Sequence, residues 1–378
     1  MAASSDALAG EFRLQYIRVE NLAQTAAVGL PRLRDLRELT LAELEEVVAA
    51  AGERSFRARQ VMGWLWHHGA ESFEVMHEVP AGLRTFLTQN FDIATNCEVE
   101  VVRAADSTRK LLVRLRDGEE IESVIIPSAD RTTLCISSQA GCAMACAFCA
   151  TARMGLHRNL SAAEILTQIV AARRELDTDE TLTNYVFMGM GEPLANYPRL
   201  ARALTIMTAE WGMGISPRRI TVSTVGLVPM MNRLLTEFQV NLAVSLHATT
   251  DEVRNRLAPI NRRFPLAMLL DTCKRIPLQR RRRITFEYVM LAGVNDSSED
   301  ARRLAKMLAP LRAKVNLIFF NPFTGAPFRP TARTQVEDFR AILQRGNLTA
   351  TIRESRGQDI AAACGQLYAE RHRSQSTQ

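Results

Sequence analysis

Thr132-Thr133-Leu134-Cys135-Ile136-Ser137-Ser138-Gln139-Ala140-Gly141-Cys142-Ala143-Met144-Ala145-Cys146-Ala147-Phe148-Cys149 is the stretch whose reading decides the fold of this 378-residue chain. Its first half is a short apolar run bounded by serines, the pattern of a buried strand. Its second half places Cys142, Cys146 and Cys149 at C-x3-C-x2-C, directly after that strand.

Downstream, strand and helix patterns alternate. After TTLCISS (132–138), strand candidates are NYVFMG (184–189), RRITVSTVG (218–226), QVNLAVSLHA (239–248), RRITFEYVML (282–291) and KVNLIFF (314–320). Helical patterns lie between them, including SAAEILTQIVAARREL (161–176), VPMMNRLLTEF (228–238) and SEDARRLAKMLAPL (298–311). Six strands separated by helices predict an α/β fold with a parallel sheet, with functional residues at the C-terminal strand ends. Upstream, residues 95–130 read as short antiparallel linker strands, with a turn at Asp117-Gly118. Residues 31–94 read as a small helical domain. Thr40 and Glu43 form a candidate capping box, Gly52 ends that helix, and Trp64 and Trp66 serve the core. The remaining divisions are a lead-in over 1–30, a barrel over 131–350 and a C-terminal segment over 351–378 carrying Cys364.

With 47% hydrophobic residues, a mainly disordered chain is excluded. No apolar run approaches the ~18–20 residues that span a bilayer, and the N-terminus lacks a signal-peptide pattern, so a cytoplasmic protein is expected. Charge is uneven. Residues 1–100 carry a net −6 and residues 101–378 a net +12, and 43 of the 47 basic residues are arginine. Codon bias accounts for arginine over lysine as readily as function does. The asymmetry fits a polyanionic partner, with Arg280-Arg281-Arg282-Arg283 as either a phosphate contact or a solvated loop.

Seven cysteines without an export signal argue against a disulfide framework. Three thiolates at C-x3-C-x2-C hold three irons of a [4Fe-4S] cube and leave the fourth iron open to a small molecule. A structural zinc site wants four ligands, and His157 is the local residue that supplies a fourth. Strand two ends in Gly189-Met190-Gly191-Glu192-Pro193, where glycines let a ligand approach the backbone and Glu192 accepts from an ammonium. Period two puts Ser223, Ser245 and His247 on the lumen face of their strands, and Cys135 likewise. Asn321 ends strand six, before Pro322. By itself Cys364 reads as a small buried residue in an Ala-rich turn, as do Cys97 and Cys273.

The cysteine spacing in the first βα loop resembles the radical S-adenosylmethionine (SAM) superfamily, which implies a partial (β/α)6 barrel, a [4Fe-4S] cluster and SAM. FRARQVMGWLWHHG (56–69), IESVIIP (121–127), 135–165, MGMGEPLANY (188–197), VSTVGLVPMM (222–231), AVSLHA (243–248) and RESRGQDIAAACGQL (353–367) are similar to the dual-specificity 23S rRNA and tRNA adenine-C2 methyltransferases. The similarity runs from about residue 30 to 368. It implies Cys142, Cys146 and Cys149 as cluster ligands. It implies Gly191, Glu192, Ser223, Ser245, Leu246, His247 and Asn321 as SAM contacts, with two SAM per turnover. Cys364 would take a methyl group from the first SAM, and a radical made from the second would abstract hydrogen from that S-methyl. The carbon would then add to C2 of adenine, giving a protein–RNA adduct that Cys135 resolves as a disulfide, with Glu122 as proton acceptor. The chemistry is coherent. C2–H of adenine is not acidic, so polar methyl transfer fails there and a carbon radical does not. Read from its own strand, Glu122 is a solvated carboxylate. The partners implied are 23S rRNA, tRNA and an electron donor of flavodoxin type, with a monomeric protein and no membrane. Two alternatives stand beside this reading: the sister family that methylates C8 of adenine, and a non-catalytic RNA-binding protein with a structural metal site. The helical N-terminal region and GEPLAN (191–196) favour C2. One departure is Phe319-Phe320, where the family leads one to expect proline and an aromatic.

Overall fold

The computed structural model describes residues 33–93, 98–279 and 282–368. The lead-in expected over 1–30, Cys97, Arg280 and Arg281 lie outside the described residues. The Thr40 hydroxyl accepts from the Glu43 N–H at 3.3 Å, and the Glu43 carboxylate accepts from the Thr40 N–H at 2.7 Å. This reciprocal cap starts α1, Leu41–Ala50. Gly52, at φ +78°, follows its end. Helix α2, Phe56–Trp66, packs with it, and α3, Ala81–Asn90, adds Leu83 and Leu87 to the same core. Strands β1, Arg34–Asp35, and β2, Phe91–Asp92, pair in parallel. Trp66 is buried in this core as expected. Trp64 is only half-buried and lies 4.7 Å from the exposed His68 ring, so it finishes the rim rather than the centre.

Among the described residues, ten strands form one sheet. β3, Glu98–Arg103, β4, Arg109–Arg114, and β5, Glu120–Ser128, run antiparallel, and β5 pairs antiparallel with β6, Arg131–Cys135. β9, Leu182–Phe187, β10, Ile220–Thr224, β11, Asn241–Ser245, β12, Ile284–Met290, β13, Ala313–Phe319, and β14, Thr349–Arg353, then follow in chain order from β6, each parallel to its neighbour. A separate ribbon, β7, Gln139–Gly141, with β8, Leu156–Asn159, brackets the cysteine loop. Helices α4, Ala162–Arg174, α5, Tyr197–Thr208, α6, Val228–Glu237, α7, Asp251–Leu257, α8, Leu266–Arg275, α9, Ser298–Leu308, and α10, Arg333–Arg345, fill the connections.

This is a mixed α/β fold with a partial barrel, and two expected details change. The antiparallel strands are not a separate linker sheet, because β5 continues the barrel wall through β6. The six expected parallel strands are present as β6 and β9 to β13; a seventh, β14, adds at the edge, and the boundary expected at 350 falls inside it. Thr349–Arg353 is an edge strand covered on one side by α10, so it lacks the long apolar run that marks the central strands. β12, by contrast, is buried along its whole length. Ala301, Leu304 and Leu308 of α9 face the core at helical spacing, and each such leucine contributes about 1.5–3 kcal/mol by burial. Among the described residues, no helix is long and apolar enough to cross a membrane.

Candidate active site

The cysteine loop leaves β7 through Gly141, whose φ is +73° and whose absent Cβ would lie 1.9 Å from the Gly155 carbonyl oxygen. Glycine is required there, and it allows the Cys142 N–H to donate to the Gly155 oxygen at 2.7 Å. The loop is pinned further by Ala147 N–H to the Leu257 oxygen, 2.9 Å, and Ala150 N–H to the Gly365 oxygen, 2.7 Å. Cys142, Cys146 and Cys149 all line one cavity of about 150 Å³ at the C-terminal strand ends. Gly191, Glu192, Ser223, Ser245, His247, Asn321 and Cys364 line the same cavity. Leu246 does not; it is buried in the core.

Burial pushes the Cys142 thiol up to about 12 and raises Cys146 and Cys149, and for Cys146 its two neighbouring cysteines add to the cost of charge. Left alone, such thiols stay protonated; a bound metal cluster is what deprotonates a soft three-sulfur donor set. Among the described residues, no three His, Cys, Asp or Glu side chains converge on one metal position. His157 is not among the residues that line the cavity of the three cysteines, and its Nδ1 lies 2.6 Å from the Glu119 carboxylate. The donor chemistry therefore fits an iron–sulfur cube with an open corner better than closed zinc.

Glu192 sits in a tight backbone cage. A Cβ on Gly191, at φ +98°, would stand 2.6 Å from the Gln139 Cβ, so the turn is pressed onto β7. The Glu192 carboxylate accepts from the Leu194 N–H at 3.1 Å and the Val225 N–H at 2.8 Å. Burial nonetheless pushes it up to about 7, and a ligand ammonium would favour its charged form. His247 adopts φ +59° and packs against Phe148 with ring centroids 4.4 Å apart. Burial, then Arg254, drives its pKa down to about 3, so the ring is neutral. Nδ1 accepts from the Val289 N–H at 3.1 Å, which puts the proton on Nε2, a buried donor with no partner.

Cys135 lines a second, larger cavity of about 640 Å³ in the barrel lumen, and Cys364 lines both. Burial, then Cys364, raises Cys135 to about 12, while Arg353 opposes this. Asn321 donates to the Cys364 carbonyl at 3.1 Å and accepts from Gln358 Nε2 at 2.8 Å, which fastens the C-terminal segment over the strand ends. Glu122 is not solvated. It is 3% exposed, lies 2.9 Å from Lys110 Nζ and accepts from the Tyr368 N–H at 2.9 Å.

Two residues escape sequence reading. Arg254, fully buried, donates to the Val225, Ser245 and Leu246 carbonyls at 2.7, 3.2 and 3.1 Å and to Asn261 Oδ1 at 2.9 Å. It ties together the loops that carry the polar strand tips. Glu287 lines both cavities from the middle of β12; an acid inside a strand that carries no other charge was the available signal.

Three cysteines on the first βα loop of a parallel half-barrel, with a Gly-Glu turn at the next strand end, define a radical SAM enzyme. The model of the Radical SAM superfamily matches residues 136–305, and that of the Ribosomal RNA large subunit methyltransferase N-terminal domain matches residues 34–93. The dual-specificity RNA methyltransferase RlmN of Anaeromyxobacter dehalogenans is 52% identical over 342 residues, covering 89% of this chain and 92% of the relative. That of Geobacter sulfurreducens is 50% identical over 333 residues, covering 88% and 91%. A crystal structure of a radical SAM methyltransferase from Sphaerobacter thermophilus superposes with a TM-score of 0.85 at 48% identity, covering 89% of this chain and all of that one. The chain belongs to the RlmN family of dual-specificity RNA methyltransferases.

Proposed function

We propose that this protein methylates C2 of adenosine in 23S rRNA and in tRNA, with the methyl group carried on the Cys364 sulfur. The observation that carries this is the placement of Cys364. It lines the cavity of the three loop cysteines and also the cavity of Cys135. A single sulfur so placed is able to receive a methyl group on one side and deliver carbon to an RNA base on the other.

Cys142, Cys146 and Cys149 would hold a [4Fe-4S] cluster, which when bound supplies the electron that cleaves SAM. Glu192 accepts from the methionyl ammonium, while Ser223, Ser245 and Asn321 orient the SAM polar groups and the backbone at Leu246 supports them. His247 is a neutral donor through Nε2. Cys135 is the resolving thiol: it attacks the Cys364 sulfur, the electron pair of the breaking S–C bond stays on the transferred carbon, a proton completes the methyl group there, and a disulfide remains. The unpaired electron of the preceding radical adduct would return to the cluster. Glu122 takes the C2 proton; Lys110 and the Tyr368 N–H hold its carboxylate in place. Exposed Arg131, Arg283 and Lys314 line the larger cavity and offer charge to RNA phosphates. The protein works as a monomer with an electron donor of flavodoxin type.

The test is nucleoside mass spectrometry of 23S rRNA and tRNA after turnover with anaerobically reconstituted protein, SAM and a reductant. 2-Methyladenosine in both RNAs is expected. 8-Methyladenosine alone would assign the sister chemistry, and a colourless zinc protein without SAM cleavage would remove the enzyme reading.

A further inference from the structure

Glu287 is the only acidic residue in β12, a strand buried along its whole length, and it is 4% exposed. Asn316 Nδ2 donates to Oε1 at 3.0 Å, and Asn316 Oδ1 accepts from the Thr351 hydroxyl at 2.7 Å. Strand register sets these three side chains in one row across β12, β13 and β14. The row fixes the carboxylate and leaves Oε2 without a hydrogen-bond partner. A buried orphan oxygen is unfavourable in a finished core and calls for a specific explanation. Because Glu287 lines both cavities, the missing donor arrives from the lumen.

The larger cavity is the place for the acceptor base, since Cys135 and Cys364 both line it and its volume of about 640 Å³ suits a nucleotide. The C2 atom of adenine lies between two ring acceptors, N1 and N3. The donor that the base edge offers a carboxylate is the exocyclic 6-amino group. Resting on the adenine-C2 chemistry proposed above, we propose that Glu287 Oε2 accepts a hydrogen bond from the 6-amino group of the acceptor adenine and so makes Glu287 the residue that selects adenine over 6-oxopurines. Hypoxanthine also has a C2–H but turns a carbonyl toward the same oxygen. Two acceptors then face each other, which is the arrangement that discriminates.

The test uses anaerobic holoenzyme and RNA stem-loops carrying adenosine, inosine or purine riboside at the target position. For the wild type, kcat/KM for adenosine should exceed that for inosine by about 100-fold or more. Glu287→Gln keeps an acceptor for Asn316 and adds a donor toward O6, so the gap should narrow to within about 10-fold. Purine riboside, which presents neither donor nor acceptor at C6, should fall between adenosine and inosine for the wild type. A wild type that uses inosine as well as adenosine would overturn the inference without any variant. So would a Glu287→Gln enzyme that loses adenosine and inosine turnover in equal proportion, the mark of a purely structural role. A wild type that forms no 2-methyladenosine would overturn the underlying function and the inference with it, a result distinct from an unchanged ratio in an active enzyme.

Discussion

Replacing Arg254 by methionine tests whether the strand tips are held by the protein before any ligand binds. The guanidinium makes four hydrogen bonds, three to carbonyls at the C-terminal ends of β10 and β11 and one to Asn261. Hydrogen bonds to a charged group contribute about 1.5–3 kcal/mol each, so the four together are worth roughly 8 kcal/mol. Taking a guanidinium out of water costs several kcal/mol, and its pKa, lowered to about 10 chiefly by burial, shows that cost in the folded state. The difference leaves a net contribution of about 3–4 kcal/mol. Methionine fills the space, forgoes the burial cost and leaves Val225, Ser245 and Leu246 carbonyls without this donor. Urea unfolding of the variant should show a loss of about 3 kcal/mol. Equilibrium binding of SAM to the holoenzyme should weaken by about 10- to 100-fold, because Ser223 and Ser245 no longer sit in register. Destabilisation below about 1 kcal/mol with unchanged SAM affinity would refute the reasoning.

Gly191→Ala should abolish SAM binding, because its Cβ would meet Gln139 at 2.6 Å from a φ of +98°; binding within about 3-fold of wild type would show that the turn yields. Cys146→Ala should lose iron and sulfide after reconstitution, read by metal analysis, while the far-UV spectrum stays that of the folded chain; full iron content would remove it as a ligand. Asp300→Asn should flatten the acid limb of stability. Burial raises the Asp300 pKa, but hydrogen bonds from Ser297 and Thr249 and the Arg303 guanidinium outweigh it, so the folded value is depressed. A depressed carboxylate stabilises above its unfolded pKa, near 3.8, and that contribution is lost as pH falls through the lower folded value. Urea midpoints from pH 7 down to pH 2 should therefore converge for wild type and variant at the acid end; parallel curves would contradict the assignment.

Much of this was legible because physics repeats along the chain. The central strands announce themselves as apolar runs between helical patterns, and β14 does not, because an edge strand is asked to bury less. Lumen residues followed from alternation alone: Cys135, Ser223 and Ser245 all line cavities, as period two requires. Leu246, carried over with them, stands on the opposite face and is buried in the core. Glu122 misleads because burial of a carboxylate depends on partners far along the chain, Tyr368 and the neighbouring strand's Lys110. Arg254 is invisible for the same reason: four acceptors from separate loops make it structural, and its own helix looks like a charged surface turn. Side-chain periodicity is local, while satisfaction of buried polar groups is not.

The claim that the methyl group travels on Cys364 is tested most directly by removing Cys135. After anaerobic turnover of Cys135→Ala with SAM and substrate RNA, nuclease digestion and peptide mass spectrometry should find adenosine linked through one carbon to the Cys364 sulfur. Normal turnover with free 2-methyladenosine and no such peptide would contradict the account.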